Sequence, residues 1–447
     1  MEIVKKSKSI TGFKDVLEIL NLISVTIFIF WLVSPFVIAS EISSFFIVGV
    51  CVVWWMTSVI LSRTFFFGLR WFNIAVIISI LYIAAISLIF GGYTRFLSYV
   101  NFIYFLFAVL VGLYYSQARS TYHKQVLFGF LILIIIHSMI TFVYNILLPG
   151  ISRPTFIQEM ARKGIEVSPS YYPSRGVGGY NFCYTIAVCI PIVFYMFKAR
   201  LKDFQYFAKG SYISDKNDRQ KLLWQLIGLG FVVTLFVGTL VASLYMYAIF
   251  GVFVSCLIIF LHDKRSYVVT SILGGLILIT VGLALLINFD IIKVPNIYRS
   301  PLYKFNSLIN SIKAGSPQSA LAGRWMYYKE SIHLIQRYPL FGAITVPFES
   351  GGGHSFILDT LAVFGVIFGS IINIFVLFCL FKFLFSTNKA PRVLSIALFV
   401  LIVFILIVNS IPQGIGVIAF YIFPAMYSTG LLKTREPILS ETFNTIE

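Results

Sequence analysis

Three stretches of the 447-residue sequence gather residue types suited to anions and hydroxyl groups: PSRGVGGYNF around Arg175, AGRWMYYKESI around Arg324, and GGGHSFILDT around His354 and Asp359. In the first, an arginine precedes a glycine-rich turn that leads into an apolar run. Its guanidinium and several backbone N–H groups can together face an anion at a helix start; the alternative is a tight turn whose arginine meets lipid phosphate. In the second, Leu321, Trp325, Tyr328, Ile332 and Ile335 recur at spacings of three and four. That pattern predicts an amphipathic helix, capped at Ser319, ended by Pro339 and Gly342, and lying on the membrane interface or the bundle top. Arg324 then falls near the first turn, where the helix dipole disfavours a cation, so it needs an anionic partner: an acid such as Glu330, or a ligand.

In the third stretch, three glycines precede His354, and Ser355 opens the next apolar run as a candidate helix cap. A histidine in that place exchanges protons near neutral pH and can accept the proton of an attacking hydroxyl, or it simply anchors a helix at a polar interface. Asp359 is one turn deeper. Carboxylates inside a membrane are costly enough to mark function by default, and this one either pairs with a basic group of the site or hydrogen-bonds to a neighbouring helix. The sequence has no HExxH and no Cys or His pair at metal spacing, so the chemistry is expected to use neither metal nor cofactor.

Positioning these residues falls to helices in lipid. The chain is 59% hydrophobic and 11% charged, with a mean hydropathy of +0.92, where a soluble domain carries about 25% charged residues. Apolar runs of about 20 residues fit helices and not the strands of a closed barrel, so the fold class is all-α, a polytopic integral membrane protein. The runs predict about twelve transmembrane helices within a single transmembrane domain, 1–447: 17–40, 43–62, 71–91, 97–115, 126–148, 181–197, 223–241, 244–262, 267–288, 355–381, 393–411 and 415–431. The stretch 223–262 is divided because it is too long for one crossing of a core about 30 Å thick. The basic start followed by a long apolar run reads as a retained anchor, and all five cysteines lie in or beside apolar runs as small hydrophobes.

The net charge of +17 is explained by sidedness and needs no nucleic acid. With both termini cytoplasmic, the short cytoplasmic connections hold most of the 34 Lys and Arg residues, as the positive-inside rule requires. The exceptions are Arg95 and two long outer-face loops, 149–180 and 289–354. Leaving 223–262 undivided would put Lys264 and Arg265 outside on a short loop, against the rule. The same model places Arg175, Arg324 and His354 on one face, in loops whose length and aromatic content point to function.

The order and sidedness of four stretches resemble the O-antigen ligase and O-antigen polymerase superfamily of bacterial membrane glycosyltransferases: RGVGGYNF from Arg175, Gly323 and Arg324 in GRWMYYKESI, RYPLFG from Arg337, and HSFILDTLAVFGVIFG from His354. In that family a histidine and a small polar residue precede a helix with a glycine pair after nine further residues. Here Gly365 falls at that spacing, while its partner, Gly369, comes one residue late.

The resemblance implies a donor glycan linked through pyrophosphate to a polyprenyl lipid. Carried over, it gives Arg175 and Arg324 the pyrophosphate and His354 the acceptor hydroxyl; Arg337 either helps to guide the polyanionic substrate or is a solvated loop charge. Arg153, Arg162 and Lys163 either share that guidance or are solvated loop charges. The implied activity is a polymerase of lipid-linked repeat units in the bacterial cytoplasmic (inner) membrane, its site facing the periplasm or outside. Its expected partners are polyprenyl-pyrophosphate-linked glycans, membrane lipid, a chain-length regulator and a flippase. A ligase that transfers glycan to lipid A core uses the same donor chemistry. A transporter or lipid-linked glycan flippase is the alternative of another class; it predicts polar residues deep in the bundle in matching halves, of which Asp359, Asn145 and Asn373 are the candidates.

Overall fold

The computed structural model describes residues 12–36, 44–62, 70–117, 123–148, 150–153, 160, 171–208, 216–261, 320–346, 353–385, 392–409, 413–428 and 432. Among them the regular elements are helical throughout, with no strand. They are α1 (Phe13–Val33), α2 (Ser44–Leu61), α3 (Arg70–Gln117), α4 (His123–Leu147), α5 (Tyr180–Ala208), α6 (Lys216–Ala242), α7 (Met246–Leu261), α8 (Ala320–Arg337), α9 (Phe356–Phe385) and α10 (Arg392–Val408). The last element, α11, runs from Gln413–Val417 through a π-helical turn, Ile418–Ile422, into Phe423–Ser428. Five helices have the length and apolarity to cross a membrane. The span expected at 267–288, most of the 289–354 loop, Ser319, Arg162 and Lys163 lie outside the described residues.

Large apolar side chains cover the outside of the bundle as well as its inside. Ile136, Met139 and Val143 on α4, Ile227 and Phe231 on α6, and Ile374, Phe378 and Phe381 on α9 are all exposed; an exterior of this kind suits lipid and not water. Inside, rings knit the elements together: Phe28 of α1 and Trp54 of α2 both meet Phe107 of α3, at 4.9 and 5.0 Å, and Phe105 of α3 meets Phe420 of α11 at 5.7 Å. Such edge-to-face pairs add about 0.5–1.5 kcal/mol each beyond their burial. Polar groups join the same helices. The amide of Asn21 donates to Ser58 Oγ (2.7 Å) and Thr57 Oγ1 (3.0 Å), and its carbonyl oxygen accepts from the Tyr115 hydroxyl (2.6 Å).

The structure bears out the division of 223–262, with α6 and α7 joined by a turn in which Leu244 takes φ 60°. It redraws two other spans. The runs 71–91 and 97–115 belong to one continuous helical element, α3. Tyr82 stacks on Phe368 at 3.9 Å and Phe102 meets Phe364 at 5.2 Å. Residues 20 apart on a straight helix would be about 30 Å apart, so α3 does not run straight between them.

The larger change is in α9, where the sequence predicts one span over 355–381. Gly365 breaks the helix at φ 77°, ψ 168°, and the Asn373 side-chain amide donates to the Ile357 carbonyl at 3.0 Å. On an unbroken helix those residues would be about 24 Å apart. The element is therefore a hairpin: a short arm, 356–364, and a long arm, 366–385, that returns beside it. Glycine is required at the apex. A Cβ on Gly365 would lie 2.2 Å from the Leu340 carbonyl oxygen, and one on Gly342, also left-handed at φ 73°, would lie 2.2 Å from the Val363 carbonyl oxygen. The Val366 N–H completes the dock by donating to the Pro339 carbonyl at 2.7 Å. The RYPLFG stretch is thus the seat of the hairpin apex.

Candidate functional site

His354 lies at the foot of the short arm. Ser355 caps that arm as expected, its hydroxyl accepting from the Leu358 N–H at 3.3 Å. Asp359 closes the turn from the other side: one carboxylate oxygen accepts from the Ser355 N–H at 3.0 Å, and the backbone N–H groups of His354 and Gly353 also face it. The other oxygen accepts from Ser331 Oγ of α8 at 2.8 Å. Of the two readings open for Asp359, the structure shows the bond to a neighbouring helix. Buried and fully engaged, this carboxylate holds the backbone of the His354 turn and fastens that turn to α8.

The α8 helix follows the predicted bounds. Ser331 and Leu334 meet α9: the serine bonds to Asp359, and Leu334 packs beside it with Ala362. Trp325 and Ile332 of the apolar pattern stay exposed, as a face laid on the membrane interface would be. The same helix carries Tyr327 to His354, with ring centroids 4.2 Å apart and tilted by 55°. Arg324 is three residues before Tyr327, so the two positions share a face of α8 about one turn apart. Histidine, the Arg324 turn and Asp359 are brought together in this way along one side of α8.

Arg337 ends α8 and leans over the ring of Tyr338 at 5.3 Å, beside the seat of the hairpin apex and away from the His354 turn. The short arm spans nine residues, about 13 Å, so His354 is set back from the apex by that length.

Arg175 reaches the same end of the bundle by another route. It closes the 3-10 turn Pro173–Arg175, which Gly176 ends in the left-handed conformation at φ 79°. Its guanidinium stacks over Tyr171 at 4.4 Å. A hydrogen bond to Tyr144 of α4, and then the neighbouring tyrosines, hold the group still further above its ordinary pKa, so it is a permanent cation. From this turn α5 runs to Tyr184, whose hydroxyl accepts from Asn409 Nδ2 at 2.9 Å, and the Asn409 carbonyl accepts from the Phe356 N–H at 2.8 Å. One asparagine thereby links α5 to the foot of the short arm.

Beneath Arg175 lies a set of groups of which the sequence reading singled out only Asn145, and that for a transporter; it missed His137 and Thr141. His137 Nδ1 meets the Gly176 carbonyl at 3.0 Å and Nε2 meets Ser34 Oγ at 3.0 Å. Thr141 Oγ1 accepts from the Gly178 N–H at 2.7 Å, and Asn145 Nδ2 donates to Ser152 Oγ at 2.6 Å. All three side chains are buried. Their spacing of four in HSMITFVYN of α4 was the available signal, since it sets three polar groups on one helix face. Compared with protein-family models and with curated proteins, the chain matches none.

Proposed function

We propose that this protein is a glycosyltransferase that joins lipid-linked repeat units: it transfers a growing glycan from a polyprenyl pyrophosphate carrier to a hydroxyl of the next carrier-linked unit. The observation that carries the reading is the approach of His354 to Tyr327, one turn along α8 from Arg324, with Asp359 fixing the backbone between them. A proton acceptor and a guanidinium-bearing turn then lie about one helical turn apart along α8, at the foot of a helix hairpin.

In the proposed step the acceptor oxygen attacks the anomeric carbon of the donor sugar and His354 takes its proton. The bond from that carbon to the pyrophosphate oxygen breaks, and the electron pair leaves with the pyrophosphate. Arg324 and Arg175 stabilise the charge that builds there, which preorganised cations do best where water is excluded. One displacement inverts the anomeric centre. The proposal includes about twelve crossings, both termini in the cytoplasm, and a site facing outward from a bacterial cytoplasmic membrane; the exposed apolar helices and the distribution of Lys and Arg support that placement. Polar groups in matching halves, which a transporter needs, find no support in Asp359 and Asn373. Both tie the α9 hairpin to itself or to α8, and the third candidate, Asn145, bonds Ser152 at the start of the Arg175 loop.

Replacing His354 with Ala in the native host and resolving the surface glycan by gel tests the reading. Removing a general base lowers transfer about 10²–10⁴-fold, so single repeat units should remain where wild type makes a ladder. Full-length polymer stranded on the carrier would assign a ligase instead, and an unchanged ladder would overturn both.

A further inference from the structure

We infer that α4 carries the positioning device for Arg175, with His137 at its centre; the inference rests on the pyrophosphate role proposed for that arginine. His137, Thr141 and Asn145 recur at every fourth residue and form a polar stripe on one face of α4. The stripe holds both sides of the loop that carries Arg175. His137 takes the Gly176 carbonyl, Thr141 the Gly178 N–H, and Asn145 the Ser152 hydroxyl. Tyr144, on the next position of the same helix, takes the guanidinium itself. Gly176 and Gly178 are the residues on which the arginine turn pivots into α5, so fixing their peptide groups fixes the direction in which Arg175 leaves the backbone.

The chemistry of the partners sets one end of the ring: a carbonyl only accepts, so His137 Nδ1 donates to Gly176, while Nε2 shares its hydrogen bond with the Ser34 hydroxyl, which can donate or accept. Ser34 closes the C-terminal end of α1, its N–H donating to Phe30 at 2.8 Å. One imidazole therefore joins α1, α4 and the Arg175 turn, and neither ring nitrogen is left for a proton transfer. Its part is geometric: it holds the guanidinium where the anion must come.

The test is binding of farnesyl pyrophosphate, a short polyprenyl pyrophosphate without sugar, to the full-length protein in nanodiscs, for wild type, Arg175→Ala, His137→Leu, His137→Gln and the double variant His137→Leu/Arg175→Ala. His137→Leu should weaken binding at least tenfold and His137→Gln should restore most of it, because a glutamine amide can still donate to the Gly176 carbonyl. The double variant should bind no worse than Arg175→Ala, since residues acting through one group are non-additive. If Arg175→Ala weakens binding but His137→Leu does not, or the two losses add, the positioning role is wrong and the pyrophosphate role stands. If wild type does not bind the probe, the pyrophosphate role fails and the inference falls with it. Should His137→Leu not yield folded protein, Thr141→Val replaces it: the same tenfold loss without additivity supports the device, and wild-type binding overturns it.

Discussion

At the scale of single residues, His354 and Asp359 stand five positions apart and do opposite kinds of work. His354 is half-buried at the foot of the arm, its ring against that of Tyr327, and as a general base it is needed for the transfer step and not for closing the turn. Asp359 is buried, accepts from Ser331 and the Ser355 N–H, and closes the turn. Truncating it leaves those donors without partners, which costs about 1–3 kcal/mol for each group stranded away from water. Thermal unfolding and transfer should therefore separate in the two variants. His354→Ala should keep the wild-type unfolding temperature while transfer is lost, and Asp359→Ala should lower both. A His354→Ala protein that unfolds several degrees early would show that the histidine is a structural anchor, the other reading its position allowed.

At the scale of elements, the α9 hairpin depends on two left-handed glycines seated against each other. Gly365→Ala brings a Cβ to 2.2 Å from the Leu340 carbonyl oxygen, against backbone that cannot step aside. Positive φ with extended ψ, a region essentially confined to glycine, costs a residue with a Cβ about 1–3 kcal/mol, and overpacking about 1–3 kcal/mol more. We expect Gly365→Ala and Gly342→Ala to lower the unfolding temperature sharply and to abolish transfer, because the arm carrying His354 loses its dock. Gly228→Ala on α6 is the control, since nothing lies within 4 Å of its added Cβ; a helical Gly→Ala exchange there should be neutral or stabilising. Equal unfolding temperatures for all three would deny the hairpin its part in stability. This element also shows where sequence reading stops. The apolar run from Phe356 to Phe385 announced a helix, and the glycine pair announced something within it, but apolarity carries no sign for chain direction and so could not reveal a reversal. The α4 stripe was hidden for a related reason: His137, Thr141 and Asn145 each pass as an isolated polar residue until the helix puts them on one face. By contrast, the turn between α6 and α7 was legible, because a limit on length and a short basic connection both demanded it.

At the scale of the whole molecule, the site has meaning only if Arg175, the Arg324 turn and His354 open to the same side of the membrane. The contacts from Tyr184 through Asn409 to Phe356 bring α5 and the short arm of α9 to one end of the bundle. Which compartment that end faces is a matter of charge, and Lys264 and Arg265, which the apolar runs put between two expected spans, argue for the far end being cytoplasmic. Cysteine labelling can decide it with little background, because Cys51, Cys183, Cys189 and Cys379 are buried and Cys256 can be replaced by Ser. Ser174→Cys sits on the exposed turn beside Arg175 and should react with a membrane-impermeant maleimide in intact spheroplasts, whereas Lys264→Cys should react only after the membrane is opened. Reaction of both in intact cells would break the alternation on which the split of 223–262 depends. Reaction of Lys264→Cys alone would turn the whole bundle over, leaving the arginines and histidine on the face opposite to the one the proposed transfer requires, and that proposal would fail with it.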